Sequence, residues 1–441
     1  MDALVVFAAF ACGPRVWNAW PGGAAPAPPP ALAAALAATV PLMAILVAMG
    51  VYEPKFWRGR GDWLLRVGVG FLFGLFALSL LRWWFPLAPD RGPTYRALLW
   101  AGAGMAALRW GFSRLARRPA FERRVLVLGV GRQAARVASG WSPLSGARLL
   151  GFVRAHEGET PEIPAARELR AAGRLLDLAE GLRADEIVVA LDDRRRGFPC
   201  EELMECKLAG IAVWSALAFA ERETGQIALD ALRPSGFLFA GGYPALLGRP
   251  LSKRGTDLVG GAVLLVLSAP LFLLAALAVG IESGFREPIF YRQLRVGRNG
   301  RPFWIFKFRT MRAGAEREGL ARPGDPRITR AGRVLRETRI DELPQLINVL
   351  RGEMSLVGPR PEQPQYVARL QEAIPFYRLR HLGRPGLTGW AQLCCPYADS
   401  VDGSREKLQH DLYYLKNASP RLDLLILLQT AHAVLWGSGA R

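Results

Sequence analysis

The stretch from Leu258 to Ile281 is apolar, free of charge, long enough to cross a bilayer and interrupted only by Pro270. Basic residues flank it on both sides, Lys253 and Arg254 before it and Arg286, Arg292 and Arg295 after it. Positive charge marks the cytoplasmic side of a membrane segment, so a true crossing would not carry it at both ends. A proline inside a helix removes one hydrogen bond and bends the chain. The pattern therefore predicts a helical hairpin over 256–282 that enters the membrane from the cytoplasm and returns, turned at Pro270.

Composition agrees with a membrane setting. The chain has 441 residues, enough for two or three domains, with a net charge of +19 and 51% hydrophobic residues. Nucleic-acid binders share such a charge but not the long apolar runs, and no recognisable nucleic-acid fold with interleaved aromatics is present. No nucleic-acid partner is expected; an anionic lipid surface accounts for both features. The five cysteines, Cys12, Cys200, Cys206, Cys394 and Cys395, are odd in number and lack zinc-site spacing. That implies a reducing compartment without a disulfide framework, with Cys394 and Cys395 as packing residues in a loop.

Residues 1–112 read as N-terminal transmembrane helices. Met1–Cys12 is apolar but short, whereas Ala31–Val51 and Trp63–Phe85 are of spanning length and Tyr95–Phe112 is just long enough. The loops Lys55–Arg60 and Arg114–Arg124 are basic and so cytoplasmic. Four crossings with both ends inside follow if the first segment crosses.

Residues 113–236 form a cytoplasmic α/β pattern. Val125–Leu128, Leu149–Val153 and Ile187–Leu191 are buried-strand runs, and Gly129-Val130-Gly131 precedes a helical stretch as in a Rossmann-like half. Two glycines at a strand-to-helix turn let a helix N-terminus meet a phosphate. The acidic residue that would hold a ribose about twenty positions on is absent: Val153 is followed by Arg154. Nucleotide binding and a docking or dimerisation role both remain open here, the latter leaving room for a homodimer. Residues 237–255, rich in glycine and proline, are a linker.

The most basic part of the chain surrounds two adjacent carboxylates. From Arg292 to Arg339 there are fourteen Lys/Arg against four Asp/Glu, and Arg327, Arg330, Arg333, Arg336 and Arg339 recur every third residue. Such a field attracts polyanions. Asp341 and Glu342 precede Pro344 and the apolar run Leu346, Ile347, Val349 and Leu350, which places them at a helix N-terminus where the dipole favours an ionised carboxylate. One carboxylate beside arginines can attack phosphorus while its neighbour holds a magnesium ion. Adjacent Asp-Glu pairs also serve simply as helix caps. Upstream, Pro288–Arg309 alternates apolar and basic residues around Asn299-Gly300, a β-hairpin pattern that could present Lys307 and Arg309 to a phosphate. Leu422–Trp436 is apolar but too short to span and is expected on or against the membrane hairpin.

KFRTM (Lys307–Met311), DPRITRAGRVLRETRIDELPQL (Asp325–Leu346), SLVGPRP (Ser355–Pro361) and GLTGWAQ (Gly386–Gln392) occur in this order. Together they resemble the bacterial sugar transferase family, the polyprenyl-phosphate phosphoglycosyl transferases that initiate exopolysaccharide or O-antigen assembly. The resemblance runs from about Lys253 to Tyr414. It implies that 283–441 is an α/β catalytic domain behind a re-entrant membrane helix, in a large monotopic enzyme at the bacterial inner membrane with that domain facing the cytoplasm. The implied reaction is a UDP-sugar:undecaprenyl-phosphate sugar-1-phosphate transfer (EC 2.7.8 type) through a covalent aspartyl-phosphosugar intermediate, with UMP released and magnesium required. Asp341 matches the nucleophile and Glu342 its metal-binding neighbour. Lys307, Arg309, Arg327, Arg336, Arg339, Arg360 and Asp411 are the expected substrate- and phosphate-binding positions. Where the family has Ser-Pro at the membrane bend, this chain has Ala269-Pro270, with Ser268 one place earlier. A reading from a different class is a membrane-anchored nucleotide sensor or scaffold of a polysaccharide assembly system, working through the Rossmann-like part.

Overall fold

A computed structural model describes residues 122–229 and 250–436, apart from short internal stretches (140, 142–146, 157, 170–172, 194–197, 313, 315–324 and 396–399) and with scattered positions before them. The expected N-terminal spans lie outside the described residues except for single helical positions and a helical stretch at 100–105. Two compact units divide the chain, the first ending at Ala231 and the second resuming at Leu232.

In the first unit, β1 (Arg123–Leu128), β2 (Ala147–Val153), β3 (Glu168–Leu169), β4 (Glu186–Val189) and β5 (Ala212–Ser215) alternate with α1 (Arg132–Ser139), α2 (Leu175–Gly181), α3 (Cys200–Leu208) and α4 (Ala216–Thr224). The strands form one parallel sheet in the order β3-β2-β1-β4-β5, the arrangement of doubly wound α/β folds. Two apolar clusters, one containing Val125, Val127, Phe152 and Val188 and the other Leu126, Leu128, Ile187 and Leu203, cover the two faces. Alternate residues of β1 feed opposite clusters, as the period of two requires.

The second unit begins with α5 (Pro250–Glu282), which starts inside the expected linker and is, among the described residues, the one helix long and apolar enough to cross a membrane. It runs without a break through Pro270, so the expected hairpin is not two arms joined by a loop. The carbonyl that Pro270 deprives of a partner is that of Val266. The Ser268 hydroxyl donates instead to the Leu265 carbonyl, 3.4 Å away.

Beyond α5 come the antiparallel hairpin β6 (Phe290–Val296) and β7 (Pro302–Phe308), turned at Asn299 and Gly300, both at positive φ. Next are α6 (Arg330–Glu337), α7 (Gln345–Arg351), β8 (Ser355–Val357), α8 (Pro364–Ala373), β9 (Gly386–Thr388), α9 (Trp390–Cys394), α10 (Val401–Asn417) and α11 (Pro420–Trp436). β8 and β9 pair in parallel, and α11 packs on them and on α9. It also meets α5 through Asp423, which pairs with Lys253 at 2.7 Å.

Both ends of α5 rest on this one unit. Near its start, Arg254 donates to the carbonyls of Val349 and Leu350 (2.6 Å each), and buried Asp257 accepts from the Ser355 hydroxyl and the Leu356 amide at 2.8 and 3.0 Å. Gly261 lies against Val349 and Leu350. Near its end, Phe272 packs on Phe290 and Phe308, Ala275 and Val279 join the cluster of Phe308 and Leu335, and Glu282 accepts from the first two amides of α6. Between these anchor zones residues 262–271 are exposed apart from half-buried Leu265 and Ser268. That stretch measures roughly 15 Å at the helical rise, about half the thickness of a bilayer's hydrocarbon core.

Candidate active site

Asp341 and Glu342 sit in a 3-10 turn, Ile340–Glu342, that leads through Pro344 into α7. The turn is seated on α5, because Ile340 and Leu343 on either side of the carboxylates pack on the cluster that holds Ala275 and Val279. Arg339, immediately before it, has φ 60° and ψ 11°, a left-handed conformation that costs a non-glycine residue of order 1 kcal/mol. The surrounding packing holds that strain where two acidic side chains are displayed.

Glu342 is the hub. Its Oε1 accepts from Lys307 Nζ on β7 at 3.0 Å and from Arg360 Nη2 at 2.6 Å, and its Oε2 accepts from Arg360 Nη1 at 3.3 Å. Arg339 stands 3.9 Å away. Burial would raise this carboxyl, but Arg360 and Lys307 outweigh burial and hold it well below the usual carboxylate range. The same pairing raises the Arg360 guanidinium. Asp341 is buried too and, among the described residues, lacks such a pairing. Burial pushes its carboxyl above the usual range, with Lys307 pulling it part of the way back and the negative charge of Glu342 adding to the rise. Desolvation thus works against the helix dipole, which favours an ionised Asp341. The two adjacent carboxylates are shifted in opposite directions, Glu342 down by its cations and Asp341 up by burial.

Arg360 is fixed from several directions. It lies between Pro359 and Pro361, in a turn tied to β9 by the Gly386 amide on the Pro359 carbonyl (2.9 Å) and to β6 by Arg295 on the Pro361 carbonyl (3.1 Å). Its own carbonyl accepts from Arg380 at 3.0 Å. Arg380, fully buried, also donates to the Tyr377 hydroxyl at 2.6 Å and faces Asp411 at 2.8 Å, an ion pair without the alignment of a hydrogen bond. Asp411 thus stands beneath Arg360, one residue removed, and its carboxyl is pushed up to about 6 by burial against the pull of Arg380. Removing one partner of a buried pair strands the other charge. Asp411→Ala is therefore expected to lose roughly 3–5 kcal/mol of unfolding free energy in a denaturant titration.

Not every expected residue joins this cluster. Arg336 and Arg339 act on Asp341 electrostatically. Arg327 is held by Asp325 at 2.6 Å, and buried Arg309, just past the end of β7, pairs with Glu287. Sequence reasoning passed over Arg380 and Gln392. The Gln392 amide oxygen accepts from Arg360 at 3.3 Å, while its buried Nε2 has no partner among the described residues. A buried donor left over beside a charged cluster is a position at which a substrate acceptor gains most.

For a magnesium-type ion the donors are two adjacent carboxylates, with a diphosphate to complete the shell, and this set fits. Glu342 has committed about three of its four lone-pair positions, leaving one on Oε2. With Lys307, Arg339 and Arg360 close by, such an ion is favoured only together with the anionic diphosphate.

The first unit holds a second candidate site, and the chain itself fills it. The amides of Arg132 and Gln133 at the start of α1 donate to Asp192 at 2.9 and 2.8 Å, and the Val130 amide donates to Glu159 at 3.2 Å. A Cβ at Gly131 would collide with the Asp192 carboxylate. The glycine therefore admits an internal carboxylate to the place a phosphate would take. Asp192→Ala is expected to destabilise this unit by about 1–2 kcal/mol, the scale of a lost helix cap, read as a lower midpoint in thermal unfolding.

A sequence model described as bacterial sugar transferase matches residues 248–437. A UDP-N-acetylgalactosamine-undecaprenyl-phosphate N-acetylgalactosaminephosphotransferase of Aeromonas hydrophila is 42% identical over 275 residues, 61% of this chain and 63% of that protein. A UDP-glucose:undecaprenyl-phosphate glucose-1-phosphate transferase of Caulobacter vibrioides is 45% identical across 42% of this chain and 70% of its own length, and an exopolysaccharide production protein of Rhizobium leguminosarum is 39% identical across 40% and 92%. The chain belongs to the bacterial sugar transferase family. In this family member the matched region contains every residue of the Glu342 cluster and all of α5.

Proposed function

We propose that this sugar transferase moves a phosphosugar from a UDP-sugar to undecaprenyl phosphate at the cytoplasmic face of the bacterial inner membrane, initiating exopolysaccharide or O-antigen synthesis. The observation that carries the proposal is the split pair: Glu342 held as an anion between Lys307 and Arg360, beside a buried Asp341 with no ion pair among the described residues. Arg360, Lys307 and Arg339 offer the positive charge that a diphosphate needs before a carboxylate can approach it. An Asp341 oxygen attacks the β-phosphorus, the bond from that phosphorus to the bridging oxygen breaks, and its electron pair leaves with UMP. An undecaprenyl phosphate oxygen then attacks the same phosphorus and the aspartyl oxygen departs as carboxylate. One activated phosphate link replaces another at each step, so no outside energy source is required. Magnesium, when bound with the diphosphate, would be held by Glu342 and supplies further charge neutralisation to the phosphate oxygens.

The seat of the catalytic turn on α5 supports a lipid acceptor, since it brings a membrane-borne phosphate and Asp341 together. The short exposed part of α5 supports re-entry: a crossing would have to draw one of its anchor zones through the bilayer. We therefore expect cysteines placed singly at Lys253 and Asn299, with the native cysteines removed, to resist a membrane-impermeant thiol reagent in intact cells and to react after lysis. Labelling of Asn299→Cys from outside would sink this topology. A docking or dimerisation role for the first unit is supported by Asp192, which takes the α1 amides that a nucleotide phosphate would use.

The direct test is UMP release by the purified protein with undecaprenyl phosphate and magnesium, across a panel beginning with UDP-glucose and UDP-N-acetylgalactosamine. Release with at least one donor is expected; none across a full panel of UDP-sugars would rule the reaction out.

A further inference from the structure

Outside the catalytic cluster, one group of side chains converges in a way the transfer reaction does not use. Cys395 follows α9, and Glu406 and His410 lie four apart on α10, hence on one face of that helix. The cysteine sulfur, a carboxylate oxygen and an imidazole nitrogen all lie within 4.8 Å of one another. Cys395 and His410 are buried, whereas Glu406 is exposed and free to adjust. We propose that Cys395, Glu406 and His410 form a binding site for a single zinc-class divalent ion that clamps α9 to α10.

Zinc takes thiolate at about 2.3 Å and imidazole or carboxylate at about 2.0–2.2 Å, which sets tetrahedral ligand atoms roughly 3.5 Å apart. Closing from at most 4.8 Å asks for about 1 Å of movement: the exposed Glu406 side chain supplies its own share, and the Cys395 and His410 side chains close on each other by small rotations. The mixed sulfur, nitrogen and oxygen donors suit zinc or cobalt, not the oxygen-seeking magnesium of phosphate chemistry. Cysteine spacing alone gives no sign of this site, because only one of its ligands is a cysteine.

The location gives the ion something to hold. Gln392, which meets Arg360, is on α9, and Asp411, which faces Arg380, adjoins His410 on α10. A clamp between these helices would brace two of the supports of Arg360.

Cobalt is the probe. The full-length protein, purified in detergent and stripped with a chelator, is titrated with Co2+ and then with Zn2+. The expected result is a thiolate-to-cobalt charge-transfer band that saturates at one ion per chain, is abolished by Zn2+ and is missing in Cys395→Ser. Glu406→Gln, at an exposed position that leaves the fold alone, should keep the band but bind cobalt on the order of tenfold or more weakly. No band in the wild-type protein, a band undiminished in Cys395→Ser, or unchanged affinity in Glu406→Gln would each overturn the proposal.

Discussion

In the Asp341→Asn variant, UMP release is expected to fall on the order of 10⁴-fold or more, as it does when a covalent nucleophile is lost. An amide oxygen is a poor nucleophile toward phosphorus, and no neighbouring carboxylate can replace Asp341, because Glu342 is held by Lys307 and Arg360. The fold should not suffer. Burial disfavours the charged form of Asp341, and asparagine fills the same space without charge, so thermal stability should stay level or rise. The same raised carboxyl sets the acid limb of the wild-type pH profile. Asp341 must be ionised to attack, so kcat/KM falls as pH drops through its pKa, above the ordinary value of about 4. Glu342, held low, stays charged over that range. For stability the signs are opposite: the Asp341 contribution is present at low pH and lost as pH rises through its folded pKa, and the Glu342 contribution is present above about pH 4 and lost only on further acidification.

Arg360→Lys is expected to lower kcat/KM by about 10²–10³-fold, the scale of removing one preorganised charged donor. Lysine keeps the charge but not the fork: the two Arg360 nitrogens reach both oxygens of Glu342 while Nη1 also meets Gln392, and one ammonium cannot span that set. If charge alone mattered, Arg360→Lys would retain most activity and only Arg360→Ala would lose it. Steady-state kinetics of the two variants separate these cases.

Local patterns were the legible part. The β6–β7 hairpin follows from alternation and an Asn-Gly turn, the parallel strands of the first unit from short apolar runs, and the Asp341-Glu342 turn from a proline before an apolar helix. Contacts between distant segments were not. Asp257 secures Ser355 and Leu356 nearly a hundred residues away, and Arg380 meets Asp411 across a similar absence of local signal. The arginines at every third position illustrate why. A step of three falls short of a 3.6-residue turn, so Arg330, Arg333 and Arg336 spread over about 120° of α6, with Arg336 the one of the three that acts on Asp341, and Arg327 is taken by Asp325 before the helix begins. Arg309 was expected beside Lys307 from strand alternation, but β7 ends at Phe308 and the rule ends with it.

The covalent step can be read directly. Wild-type protein incubated with its UDP-sugar and magnesium, without undecaprenyl phosphate, is digested at once and its peptides weighed. The expected result is the added mass of one phosphosugar on the peptide that carries Asp341, discharged by undecaprenyl phosphate and missing in Asp341→Asn. An unmodified peptide from enzyme that releases UMP only when the lipid is present would mean that the lipid attacks UDP-sugar itself, and would contradict a nucleophilic Asp341.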